Sequence, residues 1–224
     1  MGYLESAVVV YLRIVYYPEG FSFPLLPLEP WVALTELGRE AATLIMLFSI
    51  GYLCGKNFTQ RIAWFLYCFA VWDIFYYVFL KIILDWPESF FTYDILFLLP
   101  VPWIGPVLSP VITSLTMIIL ALCLIYFNMK NETVILKKKE WFLLFAGSAL
   151  VLISWTYDYI RYVYEHAGDT GIWMPGNAEK LFAEGFNYVP DYYNWWLFAA
   201  GEFFYLIAIY LFVIRANTRT ESAK

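Results

Sequence analysis

Five apolar stretches, each near the ~20 residues that a helix needs to cross a bilayer core of ~30 Å, decide what this chain can become. A soluble domain of 224 residues would carry more charge on its surface than the 15% found here, beside 62% hydrophobic and 22% aromatic residues. The expected fold is an all-α integral membrane protein, with about five transmembrane helices plus a short amino-terminal interfacial helix.

The crossings fall at residues 31–54, 62–84, 101–127, 141–164 and 193–215. Ahead of them, Ala7 to Tyr17 is apolar but short and is interrupted by Arg13, which suits a helix at the membrane surface better than a crossing. Pro18, Pro24, Pro27 and Pro30 then make an extended connector. The domain reading is 1–30 for this helix and connector, 31–215 for the five-helix domain and 216–224 for a polar tail. No secretory leader is expected, because Glu5 and Arg13 lie where a basic start and an uninterrupted apolar core should be. A short surface helix is expected at 178–184, and no internal repeat supports an inverted-repeat transporter.

The most informative stretch runs from Trp72 to Pro110. Asp73 sits in the middle of an apolar run, and a polar loop follows with Asp85, Trp86, Pro87 and Glu88. Return to the membrane is marked by Pro100, Pro102, Pro106 and Pro110, which read as the first turns of the third crossing, where a helix tolerates proline best.

With five crossings, Lys56, Arg61, Lys130, Lys137, Lys138, Lys139, Arg215, Arg219 and Lys224 share one side, and the other side holds only Lys180 and Arg13. The positive-inside rule makes the lysine-rich side cytoplasmic, with the carboxyl terminus there and the amino terminus outside, in a plasma (inner) membrane. The glycosylation-like triplets at Asn57 and Asn131 fall on that cytoplasmic side and are discounted.

Seven ionisable residues lie within the crossings, all at midplane or in the outer half: Glu36, Arg39, Glu40, Asp73, Asp158, Arg161 and Glu202. Burial of charge in a bilayer costs several kcal/mol unless it is paired or hydrated. Helical spacing pairs Arg39 with Glu36 and Glu40, and Arg161 with Asp158. Asp73 shares a stripe with Tyr77 and Lys81, and Glu202 has no local cation. Five carboxylates face two arginines, so protons, a bound cation or water must offset the excess. Asp73 and Glu202 are the expected titrating pair.

Three functions follow. The first is handling of protons or a small cation through this cluster. The second is a non-catalytic membrane subunit of a larger complex, for example a respiratory one, or a homo-oligomer. The third is a metal-dependent membrane enzyme acting on a lipid. The balance leans away from catalysis: Ser109, Ser114 and Ser154 lack a histidine in the membrane, and no phosphate-binding glycine loop is present. No cofactor is expected beyond a bound cation. The single histidine, His166, excludes a bis-histidine haem within this chain, although with Glu165 and Asp169 it makes a weak metal candidate. Cys54, Cys68 and Cys123 read as apolar packers. The aromatic residues Trp72, Tyr76, Tyr77, Trp155, Tyr157, Tyr159, Trp195 and Trp196 suit interfacial belts first and a ligand or quinone pocket second. The lipid bilayer is the expected partner, and no basic, aromatic-interleaved run offers a surface for nucleic acid.

Overall fold

The computed structural model describes residues 1–99, 101–166 and 185–221, with the side chains of 219–221 left aside. The short helix expected at 178–184, Lys180, Asp169 and the tail charges Arg219 and Lys224 lie outside the described residues or side chains. Six helices and one hairpin make up the rest: α1 (Gly2–Tyr16), α2 (Pro30–Cys54), α3 (Phe58–Leu84), β1 (Tyr93–Phe97), β2 (Trp103–Pro106), α4 (Leu108–Lys130), α5 (Lys138–His166) and α6 (Trp195–Glu221). From α2 to α6, each helix is long and apolar enough to cross a membrane. Large apolar side chains such as Ile45, Phe48, Ile82, Leu115, Phe145 and Phe203 stand exposed along them, as a lipid-facing surface requires. This is an all-α membrane protein.

The ends of the helices follow local chemistry. Pro30 opens α2, where a missing N–H costs nothing. Asn57 caps α3 by accepting from the Gln60 N–H at 3.1 Å. Asp85 closes α3 in the left-handed region at φ 52°. Between α2 and α3 the turn is tight because Gly55 has no side chain: a Cβ there would lie 2.4 Å from the Arg61 nitrogen.

Beyond α3 lies a correction to the expected third crossing. The chain does not re-enter as helix at residue 101. Instead β1 and β2 pair antiparallel, with Asp94 opposite Gly105 and Ile95 opposite Ile104. Pro102 and Pro106 withhold N–H groups and bias their preceding residues away from helix, so α4 starts only at Leu108. Backbone bonds from Val107 to the Thr92 carbonyl (3.0 Å) and from Leu108 to the Phe90 carbonyl (2.8 Å) fasten the hairpin to the head of α4. Trp103 stacks on Trp155 of α5 at 5.6 Å between ring centres.

The closest helix pairs are α5 with α6 and α3 with α4. Gly147 and Gly201 face each other across the first pair; a Cβ on Gly147 would come within 2.9 Å of the Gly201 carbonyl oxygen. Small residues at such a crossing let two backbones approach, which is how helices gain contact in lipid. The apolar core lies toward the lysine-rich end, where Leu120, Leu124, Phe127, Leu144, Ala208 and Phe212 pack together. A second apolar cluster, Val151, Trp155, Tyr193 and Phe198, packs against the hairpin.

α1 packs along α3 rather than standing alone. Its start is level with the middle of α3, where a Cβ on Gly2 would be 3.0 Å from that of Phe75. Ser6 donates to the Tyr76 carbonyl at 3.0 Å. Arg13 reaches Trp86, beyond the end of α3.

Candidate functional site

At the hairpin end, α1, α2, α3 and β1 enclose a cavity of about 560 Å³. Tyr159 and Val163 of α5, with Gly185 and Phe186, complete its wall. Four of the seven residues singled out by sequence line it: Glu36, Arg39, Glu40 and Asp73. Three others that sequence spacing did not reveal join them: Glu5 and Arg13 from α1, and Asp94 from β1. The remaining surface is mostly apolar, including Leu12, Leu25, Leu37, Leu96 and Leu99.

Both guanidinium groups are engaged. Arg39 donates from Nε to Glu36 at 2.8 Å, one turn away on α2, and from Nη1 to Glu5 on α1. Arg13 faces Asp94 at 3.5 Å, and its guanidinium carbon lies 3.7 Å from the Trp86 ring centre and 4.6 Å from that of Phe21. Aromatic faces stabilise a partly desolvated cation in this way.

The carboxylates are less evenly served. Glu40 is not held by Arg39, as its i+1 position makes natural. Its two oxygens instead accept the Leu98 N–H, at 3.1 Å each, tying α2 to the hairpin. Asp94 is 3% exposed, and its Oδ2 meets no donor in hydrogen-bonding geometry, though the hydroxyls of Tyr76 and Tyr77 stand near it. Burial pushes Asp94 up to about 6, against the opposing pull of Arg13. Glu5 is raised for the same reason, with Arg39 opposing. Trp72, also on the wall, carries a buried indole N–H with no acceptor.

Asp73 accepts from Ser114 of α4 at 2.8 Å. The adjacent residue, Thr113, donates to Glu202 at 2.7 Å, and Thr116 donates to the other oxygen of Glu202 at 2.7 Å. The two acids are thus held on consecutive residues of one helix, Asp73 facing the cavity and Glu202 enclosed between α4 and α6. Lys81 takes no part in the Asp73 stripe: it turns outward to Asp85 at 2.8 Å.

The expected pairing of Asp158 with Arg161 is replaced. The Tyr188 hydroxyl, from beyond the long loop, donates to Asp158 at 2.6 Å. Arg161 bonds Glu165 at i+4 on an exposed face, at 2.8 Å with side-chain exposures of 58% and 53%. A short, partly buried bond to tyrosine outcompetes a solvated ion pair, which is worth little. Neither residue lines the cavity, and neither does Glu202.

The lysine-rich end is not purely apolar either. Arg215 grips Glu140 with two parallel bonds of 2.8 and 2.7 Å, and Glu140 also accepts the Lys137 N–H at 2.7 Å. Asn128, fully buried, accepts from Asn57 at 2.8 Å and Gln60 at 3.0 Å, and donates to the Glu132 and Val134 carbonyls. Among the aromatic residues, Trp72, Tyr76 and Tyr159 line the cavity, Trp155 donates to Ser109 at 2.8 Å, and Trp196 is 85% exposed where an interfacial belt belongs. His166 stacks on Tyr162 and bonds its carbonyl.

Among the described residues, no three Asp, Glu, His or Cys side chains gather closely enough to hold a metal ion. Glu5 and Glu36 are bridged by Arg39, while Asp94 is paired with Arg13. Comparison with known protein families, with characterised proteins and with solved structures gave no match to this chain.

Proposed function

We propose that this polytopic protein handles protons or a small cation through the cavity at its hairpin end. The observation that carries the reading is a charge imbalance. Glu5, Glu36, Glu40, Asp73 and Asp94 share a cavity with two guanidinium groups, and both of those are already engaged. A low-dielectric site relieves such an excess by protonation or by binding positive charge. Asp73 is the central group, since it faces the cavity and is anchored on α4 next to the residue that holds Glu202. The asymmetry of Lys and Arg supports a cavity open to the non-cytoplasmic side of a plasma membrane.

The test is flux in proteoliposomes loaded with a pH-sensitive dye, under an imposed gradient of pH or of sodium or potassium. The wild type should dissipate the gradient, and Asp73→Asn should abolish this while eluting as a folded species. Equal flux in both proteins, or none in either, removes the reading. Stoichiometric recovery of another chain in mild detergent, with no flux, would favour the complex-subunit reading instead.

A further inference from the structure

Resting on that reading, we infer that the positive charge accepted by the cavity is an organic ammonium with an apolar body, not a bare inorganic ion.

Three observations select this class. The first is size. At about 560 Å³ the cavity falls in the range of ligand pockets, ~300–1,000 Å³. A dehydrated alkali or alkaline-earth ion is far smaller and needs ~6–8 oxygens gathered around one point. The acids here come from α1, α2, α3 and β1, Arg39 already stands between Glu5 and Glu36, and no metal-like cluster is present among the described residues.

The second is the wall. Apolar side chains, among them leucines from α1, the connector, α2 and the hairpin, cover most of it, and Tyr16, Tyr17, Trp72 and Tyr76 add aromatic surface. A mostly apolar enclosure with localised charged groups fixes the orientation of an amphipathic ligand. Aromatic faces add attraction for an ammonium. Arg13 already uses this chemistry against Phe21 and Trp86.

The third is the state of the polar groups. Both guanidinium groups are committed to carboxylates, so an anionic head has no free cation to meet. Carboxylate oxygens outnumber their donors: Asp94, 3% exposed, has no donor in hydrogen-bonding geometry at Oδ2 although the Tyr76 and Tyr77 hydroxyls stand near it, and Glu40 receives only one backbone N–H across its two oxygens; the single unmet donor on the wall is the Trp72 indole N–H. An ammonium brings three donors and no acceptor. It supplies what these groups lack and neutralises part of the excess. The apolar body then lies along the leucine wall.

The probe is 4-phenylbutylamine, compared with its neutral analogue 4-phenylbutanol, titrated by calorimetry into the full chain in lipid nanodiscs at pH 7. Empty nanodiscs report partition into lipid. Saturable one-to-one binding of the amine is expected, with the alcohol at least tenfold weaker. Glu40→Gln and Asp94→Asn should each weaken amine binding about tenfold, which corresponds to ~1.4 kcal/mol. Two variants guard against misfolding of either, and each must keep the wild-type elution profile. Sodium chloride at physiological concentration should not displace the amine. Equal binding of amine and alcohol, no saturation above empty nanodiscs, or full displacement by sodium overturns the inference. Gradient dissipation that depends on Asp73 without any amine binding overturns it and leaves the broader reading standing. Absence of both removes the two together.

Discussion

Arg13 and Asp94, 81 residues apart in sequence, face each other across 3.5 Å, with the Arg13 guanidinium against the ring of Trp86. The pair does not restore Asp94 to ordinary acidity, because burial outweighs the guanidinium and leaves the carboxyl at about 6. A carboxyl raised on folding binds protons more tightly in the native state than in the unfolded one. Its contribution to stability is therefore greatest below the unfolded value of 3.8 and is lost as pH rises through about 6. Glu5 shifts in the same direction. Lowering the pH from 7 to 5 should stabilise the protein by about 1 kcal/mol through Asp94 alone. Thermal unfolding in detergent should show that gain, and Asp94→Asn should lose a corresponding part of it. A wild type less stable at pH 5 than at pH 7 would contradict the assignment.

Glu202 depends on two hydroxyls. Thr113→Val or Thr116→Val leaves one carboxylate oxygen without its donor in a buried site, at a cost of ~1–3 kcal/mol each. Valine keeps the shape, so packing alone predicts little change. The melting temperature of each variant against wild type decides, and restoration of the loss by adding Glu202→Leu would identify the stranded carboxylate as its cause.

At the lysine-rich end, Arg215→Leu should strand Glu140, and breaking such a pair from one side costs ~3–5 kcal/mol. Adding Glu140→Leu should recover much of that loss, since two apolar groups replace two charges. A double-mutant cycle on unfolding free energies checks this. Additive losses would mean that the two residues act independently.

The crossing of α5 and α6 tolerates little added volume. Gly147→Leu forces a side chain against the Gly201 carbonyl and the Tyr205 ring, 2.9 and 3.0 Å from the Cβ position. Overpacking of this kind costs ~1–3 kcal/mol. Gly38, which has nothing within 4 Å of its Cβ position, supplies the control: Gly38→Ala should leave the melting temperature unchanged or raise it slightly.

How much of this was legible in the sequence depends on how local each interaction is. The five crossings follow from the length of the apolar runs. The pairing of Glu36 with Arg39 follows from one helical turn and is present at 2.8 Å. Where a distant partner competes, spacing fails. Tyr188 takes Asp158 from Arg161, and Leu98 takes Glu40 from Arg39. Glu5, Arg13 and Asp94 gave no local sign of the cavity because their partners lie on other elements. The hairpin was concealed because prolines at 102 and 106 fit the first turn of a helix as well as they fit a strand with few donors. Thr113 and Thr116 do carry a sequence signal: hydroxyls three residues apart on a buried helix suit the two oxygens of one acid.

The depth of α1 has a mechanical outcome. Gly2 stands level with the middle of α3, Glu5 reaches Arg39 ten residues into α2, and Arg13 lies at the hairpin. One short helix therefore pins α2, α3 and the hairpin together, so any tilt of α1 is felt at three walls of the cavity at once.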